Sequence, residues 1–290
     1  MSCGRRLPWG VGAGSVCPAL LVAFLRLGVA LGELRCRAGR WSLRGRRSKA
    51  LAVPEADTMR AMVQEAIGYD AAVYAGLAAH LRGAPPGDYP GATGAVIARS
   101  SRLVEPILAP WLRSLVAERQ PRRVLDVGCG TGSYLVHAAT AGGPKLTGLG
   151  VDLDAAVVDL ARRRLADAGL AERFGVRHGD VRTVQLPAAS FDLVLLFQNI
   201  DYFAEDQRPD LLRRLRGLLA PGGALLLASL FAGRWLAAAH DDLLFRATAG
   251  CAPLPRRQQL DHQLHDAGFT TTQWVQLIPL ESFHAVVAQR

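Results

Sequence analysis

The feature that most constrains this chain is a turn with three glycines in five residues, Gly128, Gly130 and Gly132, after a short apolar stretch over residues 123–127. Apolar residues at helical spacing follow directly, so the segment has strand–turn–helix order. Glycine is required because the chain must reverse sharply, leave its backbone open to a ligand and bring the helix start close to the strand. The motif predicts an α/β fold with a ligand site at the carboxyl end of this strand.

Two details of the turn indicate which kind of ligand it binds. The glycines are spaced GxGxG, whereas a dinucleotide-binding turn has GxGxxG, and Asp126 stands two residues before the first glycine. A pyrophosphate favours positive potential and bare N–H groups at a helix N-terminus. A carboxylate in the turn is better suited to a positively charged ligand.

The segment Val-Leu-Asp-Val-Gly-Cys-Gly-Thr-Gly, residues 124–132, resembles the first motif of the class I S-adenosylmethionine-dependent methyltransferases. The resemblance implies that Asp152 accepts both ribose hydroxyls of S-adenosylmethionine, a role for which a carboxylate is apt because it takes two donors. It also implies that Asp180 reaches the adenine amino group, with an apolar neighbour against the ring. The implied cofactor-binding residues are Asp126, Gly128, Gly130, Gly132, Asp152, Leu153, Asp180, Val181 and Gln198.

The same resemblance sets the expected fold of residues 120–290. It implies an α/β, Rossmann-like sheet of seven strands, mostly parallel with the last strand antiparallel, and helices on both faces. We predict strands over residues 123–127, 146–152, 174–177, 191–197, 219–228, 268–277 and 282–288. Ahead of this domain, residues 55–119 have helical spacing with a Gly- and Pro-rich break at 83–91, which predicts a helical linker or lid of two helices.

The basic charge of the chain belongs to its N-terminal fifth. The formal net charge is +9, and residues 1–60 hold eleven Lys and Arg against three Asp and Glu. The remainder is nearly neutral, which argues against a general polyanion-binding surface. We predict a disordered start over residues 1–17, and then a winged-helix-like region over 18–54.

Within that region a helix is expected from Pro18 and a basic β-hairpin around Ala38-Gly39. The hairpin arginines could bind DNA or form a solvated wing. We favour the wing because no full recognition helix can be assigned.

Residues that serve the methyl acceptor are expected after the fourth and fifth strands. His240, followed by two acids, stands where family members that act on hydroxyls place a base, and Tyr202 is a second catalytic candidate. Candidate substrate-lining residues are Tyr69, Arg102, Asn199 and Asp201. The five scattered cysteines include no CxxC pair, so no metal site is predicted.

These observations favour a methyltransferase that acts on a hydroxyl of a small molecule, with S-adenosylmethionine as cofactor and no metal. Two alternatives stay open: methylation of carbon or nitrogen in a lipid or metabolite, and a DNA-binding regulator that senses S-adenosylmethionine. We expect a cytoplasmic protein without a membrane span and without a nucleic-acid partner. The accessory region resembles that of natural-product O-methyltransferases, which implies a homodimer formed through the N-terminal region.

Overall fold

The computed structural model describes residues 17–89 and 94–290. The chain divides into two compact units, Met1–Asp57 and Thr58–Arg290, a division three residues beyond the predicted boundary at residue 54. Apart from Cys17, the predicted disordered start lies outside the described residues. In the described ranges no helix is long and apolar enough to cross a bilayer.

The N-terminal unit contains the predicted helix and hairpin. Helix α1 is Pro18–Ala30, and strands β1 (Leu34–Arg37) and β2 (Arg40–Leu43) pair antiparallel. The two turn residues between the strands have φ angles of 49° and 73°, the geometry that matches the twist of a tight hairpin. A short second helix, α2 (Arg46–Ala52), was not predicted.

A single acid holds α2 in place. The Glu33 carboxylate accepts from the backbone N–H of Ser48, in the first turn of α2, at 3.1 Å and from Arg47 Nε at 3.0 Å. The Ser48 and Arg47 hydrogen bonds hold the pKa of Glu33 below its ordinary value. An acid from a distant segment therefore supplies the N-terminal capping that the sequence around α2 lacks.

The helical segment before the sheet is more interrupted than predicted. After a 3-10 turn (Pro54–Ala56) it comprises α3 (Asp57–Glu65), a π-helical turn (Ala66–Asp70), α4 (Ala71–His80), α5 (Gly94–Ser100), a 3-10 turn (Ser101–Val104) and α6 (Glu105–Arg119). The second helix predicted, after the break at 83–91, is therefore not continuous. Pro106 has no N–H to donate to the carbonyl of Arg102, so the chain tightens into a 3-10 turn before α6 begins.

Seven strands form the predicted sheet in the order β5-β4-β3-β6-β7-β9-β8. Their bounds are β3 (Arg123–Val127), β4 (Thr147–Asp152), β5 (Phe174–His178), β6 (Phe191–Phe197), β7 (Leu219–Leu230), β8 (Thr271–Gln276) and β9 (Phe283–Gln289). Strand β9 is antiparallel to both of its neighbours, and the pairs among β3 to β7 are parallel. The predicted fold class is confirmed.

Helices cover both faces of the sheet, and the central strand β6 shows why the sheet is buried. Along β6, Leu193, Leu195 and Phe197 join the core on the side of α6, α7 (Ser133–Gly142) and α8 (Ala155–Asp167). The alternate residues Val194 and Leu196 join the core on the side of α9 (Arg208–Leu218) and α11 (Arg257–Asp266). An uninterrupted apolar strand is the pattern of a parallel strand with two buried faces.

A third, smaller core sits away from the sheet. Tyr69 and Val73, from the π-turn and α4, pack with Leu244 of α10 (Leu236–Arg246) and with Ala247. This cluster fixes the helical segment against α10. The π-turn and α4 therefore face α10 on either side of this cluster.

Candidate functional site

The glycine turn lies at the carboxyl edge of the sheet, between β3 and α7. The N–H groups of Gly128 and Cys129 donate to the carbonyl of Val151 on β4, at 2.8 and 3.1 Å. The three glycines have φ angles of 62°, 52° and 73°, in the region that glycine adopts without strain. A Cβ on Gly132 would lie 3.2 Å from the Cβ of Ala161 on α8, whereas a Cβ on Gly130 would meet no atom nearer than 3.9 Å. Gly132 thus serves helix packing, and Gly130 leaves open space over the backbone.

Asp126 is a buried acid beside this space. It is 1% exposed, and its Oδ2 atom has no hydrogen-bond partner. Burial, with the charge of Asp152 as a smaller cause, raises the pKa of Asp126 to about 8. A buried unpaired carboxyl is costly, so the site is incomplete without a donor or a cation from a ligand.

Asp152 ends β4 on the other side of the turn. Its Oδ2 accepts from the Gly130 N–H at 2.9 Å and its Oδ1 accepts from the Asp154 N–H at 3.0 Å. Burial raises the pKa of Asp152, and these two hydrogen bonds act against that effect. Each oxygen keeps a lone pair for a further donor. Leu153, the next residue, is 67% exposed and presents an apolar surface beside the carboxylate.

Asp180 follows β5, and its carboxylate is engaged by a nearby arginine. Arg182 Nε lies 3.0 and 2.9 Å from the two carboxylate oxygens, and Arg182 Nη2 lies 2.7 Å from Oδ2. The Arg182 hydrogen bond lowers the pKa of Asp180. Val181 beside it is buried. The resemblance implied a free carboxylate at this position, whereas here it already holds a guanidinium.

Two polar residues follow β6 and have different roles. Gln198 has a φ of 55°, and its Nε2 donates to the carbonyl of Ser101 at 3.2 Å. Asn199 is buried, donates from Nδ2 to the carbonyl of Val127 and packs against Gly128. Asn199 therefore braces the glycine turn. It is not among the residues that line the acceptor cavity described next, and its predicted role as a substrate-lining residue stays a prediction.

A cavity of about 460 Å³ lies between the helical segment, α10 and the ends of β6 and β7. This volume falls in the range of small-molecule sites. Five residues singled out from the sequence line it: Tyr69, Gln198, Asp201, Tyr202 and His240. Gln198 is both a cavity wall and the residue that adjoins Asn199 and the glycine turn. The cavity thus approaches the ligand space over the turn.

His240 projects from α10 into the cavity wall among acids and an aromatic ring. Its Nδ1 lies 3.3 Å from Asp241 Oδ1, and its Nε2 lies 4.0 Å from Asp70 Oδ2. Its ring stacks on Tyr74 with the centroids 5.9 Å apart. With a proton on Nδ1 shared with Asp241, Nε2 is the nitrogen that can accept a proton.

Neither cavity tyrosine is placed to act as a base. The Tyr69 hydroxyl is 2.8 Å from Thr248 Oγ1, and burial raises the pKa of the Tyr69 phenol. Tyr202 is 39% exposed, and the enclosing walls raise the pKa of its phenol well above the ordinary value. Both phenols are therefore protonated at neutral pH and can donate or stack.

Arg102 is not among the residues that line the cavity, and its predicted role as a substrate-lining residue stays a prediction. Its Nε donates to Glu105 Oε2 at 2.7 Å, and the other Glu105 oxygen is 2.7 Å from His137 Nε2 on α7. Burial opposes ionisation of Glu105, but the hydrogen bonds from His137 and Arg102 outweigh it and lower the pKa to about 2. The pattern around Arg102 did not show this network because His137 lies 32 residues beyond Glu105.

Several lining residues were not found from the sequence. The carboxyl side chains of Glu65 and Glu281, the hydroxyl of Ser229 and the thiol of Cys251 all face the cavity. Glu65 stands four residues before Tyr69, a helical spacing that would have placed it on the same face. Glu281 lies in the loop between β8 and β9, where no periodic pattern predicts direction. Within the described ranges, no group of three His, Cys, Asp or Glu side chains is arranged to hold a metal ion.

Comparisons with known proteins agree with this geometry. Residues 124–223 match a family model described as a methyltransferase domain. The chain is 32% identical over 239 residues to demethylspheroidene O-methyltransferase of Cereibacter sphaeroides, a match that covers 76% of this chain and 60% of that relative. It is also 42% identical over 106 residues to aclacinomycin 10-hydroxylase RdmB of Streptomyces purpurascens, covering 37% of this chain and 27% of the relative. The chain thus spans less than two thirds of the length of these curated relatives.

Two solved structures share the fold over nearly the whole chain. An O-methyltransferase family protein from Burkholderia thailandensis aligns with a TM-score of 0.72 at 18% identity, covering 94% of this chain and 84% of that one. Human N-acetylserotonin methyltransferase, solved with S-adenosylmethionine, aligns with a TM-score of 0.70 at 16% identity, covering 94% and 83%. At these identities the likeness concerns the fold alone.

Proposed function

We propose that the chain is a class I S-adenosylmethionine-dependent methyltransferase and that it methylates a hydroxyl group of a small molecule. Both the transfer of a methyl group and the hydroxyl acceptor are parts of this proposal. The reaction is included because one relative, aligned over 106 residues, is named a hydroxylase. The single observation that carries it is the buried Oδ2 atom of Asp126, which has no hydrogen-bond partner, on the strand that enters the glycine turn. A cavity of small-molecule size, with Gln198 in its wall, supplies space for the acceptor.

The residues around the turn fit S-adenosylmethionine. Asp126 offers a buried carboxyl to a cationic ligand, Gly130 leaves room over the backbone, and Asp152 keeps acceptor capacity for a pair of hydroxyls. Leu153, which is exposed, supplies apolar surface for a base, and the buried Val181 lies beside Asp180. When bound, S-adenosylmethionine supplies a methyl group already activated on a sulfonium.

The cavity residues would then prepare the acceptor. His240 Nε2 takes the proton from the acceptor hydroxyl, while Asp241 holds the ring through Nδ1 and stabilises the imidazolium that forms. The Tyr202 phenol, which stays protonated, donates a hydrogen bond or packs against an aromatic ring. Ser101, Leu103, Val104 and residues of α10 form walls of the cavity, so the chain contributes alignment of the acceptor more than bond chemistry.

Calorimetry and a transfer assay test the proposal in sequence. The purified chain should bind S-adenosylhomocysteine and S-adenosylmethionine, and it should not bind NAD. Incubation with methyl-labelled donor and a panel of phenols should place the label on oxygen. Failure to bind either sulfur nucleoside would end the proposal. Label on nitrogen or carbon would instead replace the hydroxyl acceptor and the role of His240, and binding without any transfer would favour a sensor.

Two further statements belong to the same proposal. We infer a homodimer through the N-terminal unit, because α1 buries none of its residues and exposes large apolar side chains that include Leu20, Phe24 and Leu27. Sedimentation of Phe24→Ser at half the wild-type mass would support this interface.

We also place the protein in the cytoplasm, since the cysteines within the described ranges are all free thiols.

A further inference from the structure

The walls of the acceptor cavity carry an uneven set of charges. Five carboxyl groups line it: Glu65, Asp70, Asp201, Asp241 and Glu281. Among the described residues that line it, the only basic side chain is the imidazole of His240, and there is no Lys or Arg. A hydroxyl acceptor without charge would need no such surroundings.

These carboxyl groups are close enough to influence one another. The pKa of Glu65 is raised by burial first and then by the charges of Asp70 and Asp241. Burial likewise raises the pKa of Asp241, with Asp70 and Glu281 as further causes. The acids therefore converge on a common space, although they come from the π-turn, α10 and the β8–β9 loop.

Asp201 is the most buried member of the set. It is 3% exposed, lines the cavity and has the Ser229 hydroxyl as a side-chain hydrogen-bond partner. Burial raises its pKa to about 6, with Asp241 adding to the effect and the Arg208 guanidinium opposing it. Arg208 does not line the cavity and donates to the carbonyls of Phe203 and Pro253. Glu281 also lines the cavity, and its Oε2 atom is buried without a hydrogen-bond partner.

Like charges in a half-enclosed space cost free energy that a complementary ligand can recover. We propose that the methyl acceptor is an organic cation, a molecule with a protonated or permanently charged nitrogen in addition to its hydroxyl. The carboxyl groups of Glu65, Asp201 and Asp241 bind the positive nitrogen, and the rings of Tyr69, Tyr202 and Phe245 on the same walls contribute cation–π attraction. This inference rests on the proposed function, because it names the substrate class of the same cavity.

The charge of the ligand can be tested with three phenols of one shape. Tyramine carries an ammonium, tyrosol a hydroxyl and 3-(4-hydroxyphenyl)propionate a carboxylate at the end of the same two-carbon arm. We expect titration calorimetry against the whole chain saturated with S-adenosylhomocysteine to show affinities that fall from tyramine to tyrosol to 3-(4-hydroxyphenyl)propionate. Tyramine should bind at least about tenfold more tightly than tyrosol. The preference should shrink as salt is raised. Equal or tighter binding of tyrosol, or no measurable binding of tyramine, would overturn the proposal.

Variants assign the preference to the cavity. Glu65→Gln and Asp201→Asn should each weaken tyramine binding by about fivefold or more and leave tyrosol binding unchanged. Glu118→Gln is the matched control, because Glu118 is exposed on α6 and does not line the cavity. If Glu65→Gln and Glu118→Gln behave alike, the carboxyl groups do not select the ligand. Thermal unfolding of each variant separates a folding defect at the buried Asp201 from a binding effect, and Glu65 alone then decides the result.

The two proposals fail in different ways. A chain that prefers tyramine but transfers no methyl group retains the cation-binding cavity and loses the proposed reaction. A chain that binds S-adenosylhomocysteine and methylates tyrosol as well as tyramine retains the reaction and loses the cationic acceptor.

Discussion

The two halves of the site are built in different ways. The half at the glycine turn comes from consecutive residues of β3, the turn and α7, with Asp152 on the adjacent strand. The acceptor half is assembled from a π-turn, a 3-10 turn, two strand ends, α10 and a loop, whose residues range from Met62 to Phe283. The first half is held by backbone geometry, and the second depends on side chains carried by separate helices. The comparison teaches that one cofactor site can serve many acceptors when the acceptor walls vary independently.

The largest expected effect separates the halves by function. His240→Gln removes the proton acceptor from the cavity, so turnover on a hydroxyl acceptor should fall by roughly 10²- to 10⁴-fold. The affinity for S-adenosylhomocysteine should not change, because His240 lies outside the glycine turn. Steady-state kinetics and calorimetry on the same preparation measure both. His262→Gln, at an exposed position of α11, is the control, and full turnover by the His240 variant would remove the base from the mechanism.

The backbone character of the turn predicts the next effect. Gly132→Ala combines a φ of 73° with a close approach to Ala161, and the free energy of unfolding should fall by about 2–4 kcal/mol. Gly130→Ala has a similar φ of 52° but open space around the added methyl group, so about 1 kcal/mol is expected there. Urea unfolding measures both. Equal losses would mean that helix packing adds nothing to the requirement for glycine.

The substitution Asp126→Asn should raise the stability of the folded chain at pH 8 and lower its affinity for S-adenosylmethionine. The folded-state pKa of Asp126 is raised to about 8. Between about pH 4 and 8 the unfolded chain therefore loses this proton while the folded chain keeps it, and the free energy of unfolding falls as the pH rises. The amide variant should therefore be more stable than the wild type at pH 8 by about 2–4 kcal/mol, and nearly equal at pH 4. Its affinity for S-adenosylmethionine should fall. Urea unfolding at the two pH values, with calorimetry at pH 8, makes the measurement. A variant less stable than wild type at pH 8 would show that Asp126 has a partner when the site is empty.

The smallest effect concerns the sugar end of the turn. Asp152→Ala removes two acceptor oxygens and should weaken S-adenosylhomocysteine binding by about 1–3 kcal/mol. Asp159→Ala on the exposed face of α8 serves as the control. An unchanged affinity would exclude Asp152 from the site and leave the glycine turn as the whole of the cofactor half.

Most of the fold and the cofactor half could be predicted because their determinants are local. The apolar run of β6 and the turn at Gly128 to Gly132 each encode one element in consecutive residues. Asp126 could be placed by its distance from the first glycine. Even there the carboxylate of Asp180 proved to be paired with Arg182, in the turn after β5, where neither a helix nor a strand period applies.

The acceptor half could be predicted only in part. His240 was found from its tandem acids, but Glu281 entered the cavity from a loop without periodicity. The ion pair of Arg102 with Glu105, which also binds His137 far along the chain, was not predicted. Helix α2 was missed since its capping acid, Glu33, precedes the hairpin. Such contacts depend on tertiary distance, which spacing along the sequence does not carry.

The solitary oxygen of Asp126 has a consequence for the energetics of loading. With a pKa of about 8, this carboxyl holds a proton in the empty protein at physiological pH. A cationic nucleoside that settles beside it favours the ionised form, so the proton is released to the buffer as the nucleoside enters. Heats of association will then vary with the ionisation enthalpy of the buffer, and binding of the nucleoside will strengthen as the pH rises toward about 8. The turn thereby couples its occupancy to the acidity of its surroundings.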